Sequence, residues 1–165
     1  MLDKRFFMYA LQAAQRDLEH DGELVPMLLV HLVSGAHFYK SLHMPNMYEK
    51  KKAFFRSIGA TLRRTKGPFT EAVMLMESWY VDGREAPNAK DFSPSRHPCR
   101  HEAIVLIGRN ADNSRQSSVV QPFTRNANNK PVWGTTPIAL YDHPVSRDLR
   151  VAGLLDFLFP WSDQA

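Results

Sequence analysis

The chain has little of what usually betrays an activity. A single cysteine, Cys99, occurs in 165 residues, so no intramolecular disulfide framework can form and a reducing, cytoplasmic setting is expected. No apolar run approaches the ~18 residues that cross a bilayer as a helix, so no membrane partner is expected. Nucleophile elbows of the Gly-x-Ser-x-Gly type, glycine-rich phosphate loops, dinucleotide fingerprints and paired Cys-x-x-Cys motifs are all missing, and with them any call for a cofactor. Internal repeats and low-complexity tracts are also lacking. What remains is a composition with 44% hydrophobic and 23% charged residues, which excludes wholesale disorder and fibrous structure.

The apolar pattern predicts one α+β domain covering residues 1–165. A first amphipathic helix runs from about Asp3 to His20 and stops at Asp21-Gly22. The apolar run Val25 to Val33 reads as a strand covered on both faces, and Ser34 to Pro45 as a loop. Asn46, with Glu49 three residues on, should cap a second helix that ends at Gly67-Pro68 and turns Met47, Lys51, Phe54, Phe55, Ile58 and Leu62 inward. Thr70 to Val81 is apolar on both faces and belongs in the middle of a sheet. A long loop spans residues 82–100. His101 to Arg109, Ser117 to Thr124 and a stretch near Val132 to Leu140 supply three more strands, separated by the polar turns at 110–114 and 126–130. Pro122 and Pro137 push the last two toward an edge or a bulge. Ser146 should cap a final helix whose Val151, Leu154, Leu155 and Leu158 face inward. The expected order is α-β-α-β-β-β-β-α, a five-stranded, mostly antiparallel sheet with helices packed on it. The first strand is expected parallel to the second through a right-handed crossover.

The charge is concentrated. Between Glu49 and Lys66 seven cations face Glu49 alone and give that segment +6, so the overall +4 leaves the rest of the chain at −2. A basic helix can contact phosphates through Lys50, Lys52, Arg56, Arg63 and Arg64, although no helix-turn-helix, zinc-finger or RNA-recognition signature accompanies it.

Two other constellations could carry chemistry. In Arg96-His97-Pro98-Cys99-Arg100-His101-Glu102, an extended backbone would send His97, Cys99 and His101 to one side as metal ligands, with His37, His43 or His143 completing the set. The same segment offers Arg96 and Arg100 to an anion. The second is Glu77, set between Leu75 and Trp79 on one strand face. An ionised carboxylate there needs a partner, with Arg100 or Arg109 as the structural choice. Facing Glu102 across adjacent strands, it would instead form a catalytic carboxylate pair.

These features support three readings. The first is a non-enzymatic binding or self-association domain, with a two-fold homodimer joined through exposed strand edges as its expected form. The second is a metal-dependent or phosphate-directed hydrolase using residues 96–102 with Glu77. The third is nucleic-acid binding through the helix over 49–66.

Overall fold

The computed structural model describes residues 4–86, 88, 94–112, 114–134, 136–144 and 154–159. In chain order these form α1 (Lys4–Asp21), β1 (Met27–Leu32), β2 (His37–Ser41), α2 (Tyr48–Lys66), β3 (Phe69–Tyr80), a short 3-10 turn (Pro94–Arg96), β4 (His101–Asn110), β5 (Arg115–Arg125), β6 (Pro131–Val132), β7 (Ile138–Pro144) and a helical turn at 154–156. The class is α+β, as the pattern predicts. The sheet runs β2-β1-β3-β4-β5, and both β6 and β7 pair with the far side of β5. Every pairing is antiparallel.

Four expectations change. The sheet has seven strands rather than five, because the segment around Gly35 is a hairpin turn and residues 37–41 return alongside β1. Only Phe38 of β2 is even half-buried, so the segment lacks the apolar alternation that marks a strand. That extra strand also reverses β1 relative to β3. β2 brings the chain back to the start of β1, α2 carries it to the other end, and β3 therefore begins beside Leu32 and runs antiparallel to β1. Next, the expected fifth strand is two pieces. β7 pairs β5 at residues 115–120 and β6 pairs it at 124–125; Pro122 falls in the gap, where the missing N–H has no ladder bond to make. Finally, α2 starts after Met47 with no side-chain cap, so Asn46 does not close it. The expected cap Ser146 and the expected inward residue Val151 lie outside the described residues.

Alternation of side chains across the strands gives the sheet two apolar faces, and each has its own cover. Leu29, Val73, Leu75, Ile104, Leu106, Val119 and Phe123 meet Phe7, Leu11, Ala14 and Leu18 of α1. On the opposite face Leu28, Val30, Ala72, Met74 and Ile107 meet Phe55, Ile58 and Leu62 of α2, together with Leu154, Leu155, Leu158 and Phe159. Each such leucine contributes roughly 2 kcal/mol by leaving water. Both covers approach over glycine. Phe7 sits where a side chain on Gly108 would be, and the backbone of Leu158 sits where one on Gly59 would be.

The C-terminal segment is also held by charge. Arg63 donates to the Leu158 carbonyl, and the guanidiniums and ammoniums of Arg56 and Lys52 lie over the Phe157 ring at 4.8 and 5.8 Å. Arg109, 1% exposed, points from β4 into this face, with Nε 3.3 Å from Asp156 Oδ1. Burial pushes the Asp156 carboxyl above its ordinary value, and the Arg109 charge opposes that only in part.

Two outcomes follow from this packing. Gly59→Ala drives a methyl group into the Leu158 backbone and should cost about 2 kcal/mol, a fall in Tm of roughly 4–8 °C for a domain of this size; the exposed Ala60→Ser change is the control. A carboxyl whose folded value is raised adds stability below its unfolded value and loses it as the pH rises through the folded one. Urea unfolding should therefore show the wild type losing stability relative to Asp156→Asn from about pH 4 upward, since the amide keeps an acceptor for Arg109 without the buried charge.

Candidate functional site

The sheet has two ends and two edges, and the residues singled out from the sequence divide among them. Glu77 near the end of β3 and Glu102 near the start of β4 share the α1 face, with Glu102 opposite Trp79 and Glu77 one step along. They line a cleft of about 310 Å³ with Ser78 and Trp79. The register left open by the sequence thus brings the two carboxylates to one place, but a guanidinium joins them. Arg125, at the end of β5, donates from Nη2 to Glu77 Oε1 at 2.8 Å and from Nε to Glu102 at 3.0 and 3.2 Å. Its Nη1 donates to the carbonyls of Gly22 and Asn129, and Glu77 accepts from the Leu24 N–H. Burial works against the Arg125 charge, yet the bonds and charges of the two glutamates outweigh it and raise its pKa.

The expected partners of Glu77 are elsewhere. Arg109 faces the opposite side of the sheet, and Arg100 stacks over Trp79 with its guanidinium 4.9 Å from the ring centre. Nothing in the sequence singles out Arg125. Its role depends on pairing across some fifty residues, and only Phe123 two positions before it hints at which face it shares.

The segment around Cys99 is turned, not extended. His97 is buried; its Nδ1 accepts the Cys99 N–H at 3.0 Å and its Nε2 lies 3.3 Å from Asn88 Oδ1. His101 instead pairs with Glu85 at 3.2 Å, and Cys99 is exposed. Alternation therefore does not apply to 97–101. Among the described residues no three His, Cys, Asp or Glu side chains gather to hold a metal ion. Arg96 is exposed on the 3-10 turn, and Arg100 is committed to Trp79 and the His97 carbonyl. On α2, Lys52, Arg56 and Arg63 turn toward the C-terminal segment, whereas Lys50 and Arg64 stand in solvent.

A second feature is one the sequence does not announce. Between α1 and the β1–β2 hairpin runs a groove of about 210 Å³ lined by Tyr9, Ala10, Ala13, Ala14, Met27, Tyr39 and neighbouring side chains. The two tyrosines on its rim are 65% and 68% exposed. Three rings stack between the same elements: Phe6 on His37 at 4.7 Å, and His37 on His31 at 4.6 Å. β2 itself is the last strand of the sheet. The bonds from Leu32 N–H to the Ala36 carbonyl and from Leu42 N–H to the Pro26 carbonyl fix the antiparallel alternation. Phe38 and Lys40 bond to β1, while the N–H and carbonyl groups of His37, Tyr39 and Ser41 point outward. A Ser-Gly turn between the runs 27–32 and 37–41 was the one signal from which this hairpin could be read.

If the Arg125 cluster is structural, Arg125→Met should cost roughly 2–3 kcal/mol in urea unfolding, because two partly buried carboxylates lose their counter-ion. Adding Glu77→Gln and Glu102→Gln should restore most of the loss. No family model matches the chain, and neither a curated protein nor a solved structure matches it.

Proposed function

We propose that this protein is a binding module that takes an extended stretch of a partner polypeptide along β2, rather than an enzyme. The observation that carries this reading is the juxtaposition of an open strand edge with an apolar groove. Main-chain groups of His37, Tyr39 and Ser41 offer a ladder, and the groove between Tyr9 and Tyr39 offers a pocket for alternate side chains. Strand addition works this way: backbone bonds supply affinity and pockets supply selectivity. Exposed tyrosines suit such a role, since they bring large contact area at little cost in side-chain entropy.

The three side chains singled out for catalysis or metal binding at this end of the sheet support the same reading through the contacts they already make. Glu77 and Glu102 share one guanidinium, and His97 spends its ring nitrogen on a turn. Cys99, exposed and unbridged, suits the reducing cytoplasm in which we place this binding.

The test is a displayed library of random peptides panned against the protein. Enriched sequences should bind the wild type and lose at least about tenfold in affinity with Tyr39→Asp, a change at an exposed position that leaves the circular dichroism spectrum intact. Peptides that bind both proteins equally, or no enrichment at all, would overturn the proposal.

A further inference from the structure

We infer that the segment added to β2 alternates in character, with acidic side chains toward α2 and apolar or aromatic ones toward α1. The inference rests on the strand-addition reading above and names its partner. From Leu24 to Tyr48 the chain contains no aspartate or glutamate, yet holds Lys40 and three histidines. Phe38 packs against the α2 side of the core, and alternation puts Lys40 on that same side. The ammonium of Lys66, at the end of α2, lies over the Phe38 ring at 5.3 Å. A strand laid against β2 therefore meets two cations on one face. On the other face it meets Tyr39, Tyr9 and the half-buried Ala13 at the rim of the groove, with Asp17 also among the lining residues.

Opposite charges placed across a strand pair favour the pairing, and like charges oppose it. The same charges weigh against a second copy as the occupant. Two β2 strands paired about a two-fold axis at Tyr39 would set Lys40 opposite Phe38 of the other copy, beside the Lys66 already stacked on that ring. Four ammonium groups would then gather around the axis without a carboxylate on either strand. An acidic, alternating segment of a different protein removes that conflict.

Two synthetic nine-residue peptides make the test. One alternates glutamate with valine and tyrosine, and the other has lysine in place of each glutamate; both carry a fluorophore for anisotropy. The glutamate peptide should bind the wild type roughly tenfold more tightly than the lysine peptide at low salt, a preference that shrinks as salt rises. In the protein carrying Lys40→Glu and Lys66→Glu, the preference should reverse. Ser41→Pro, which removes an outward N–H without touching the bonds to β1, should weaken both peptides. Equal binding of the two peptides, abolished alike by Tyr39→Asp, would overturn the charge assignment and leave strand addition standing. Binding of neither, or binding indifferent to both Ser41→Pro and Tyr39→Asp, would overturn the site itself. A wild type that forms dimers by light scattering, and reverts to monomer with Tyr39→Asp, would replace the acidic partner with a second copy.

Discussion

The sheet is covered on both faces, and almost everything else about the molecule follows from that. α1 seals one side and α2 with the C-terminal segment seals the other, so β3 runs through apolar surroundings for most of its length. Inside such a layer an unpaired polar group is costly. Chemistry is thereby confined to the ends of the strands and to the outer edges of the sheet. The carboxylates at 77 and 102 obey this rule, since they sit where the sheet meets its loops, and so do His97 and the Arg84–Asp82 pair beyond it. That last pair holds Asp82 down to about 2, chiefly through the Arg84 hydrogen bonds.

The distribution of arginine is the second consequence. A planar guanidinium can satisfy several acceptors at once, which suits positions where layers are joined. Arg125 ties the ends of β3, β4 and β5 to the chain leaving α1 and to the 126–130 turn. Arg63 and Arg109 do the equivalent on the other side, fixing the C-terminal segment against α2 and β4. A basic excess that looks in the sequence like a nucleic-acid footprint is thus partly assembly hardware. Only part of that charge, Lys50 and Arg64 among it, is left to the solvent.

How much of this was legible in advance depends on range. The class, the two long helices and the strands at 69–80, 101–110 and 115–125 were readable because each carries its own period and buries enough apolar surface to declare it. Glu77 was readable as a carboxylate in need of an arginine, for the same local reason. Which arginine was not, because the answer lies in a register set by pairing over long separations. The turn at 97–99, inside the expected loop, was not readable because its conformation is decided by a histidine nitrogen bonding the backbone two residues later, a contact without any periodic trace. β2 was missed through the opposite fault: a strand on an edge, with little to bury, has no reason to alternate.

That last failure is itself informative about the strand. A five-residue edge with exposed aromatic side chains is a hazard, since it invites pairing with any passing chain. Natural edges are usually blunted by proline, a bulge or a charge pointing across the opening. The other edge of this sheet has such devices. β7 ends at Pro144, and its pairing to β5 shifts register between Gln116 and Ser118. β2 has only Lys40, which admits or refuses a strand according to its charge instead of refusing all strands. Under the strand-addition reading we propose, that edge and the groove beside it serve contact as well as stability. The exposed Tyr9 and Tyr39 on the rim stand outside the core, and Ala13 of α1, which lines the groove with them, is small where a bulkier residue would narrow it.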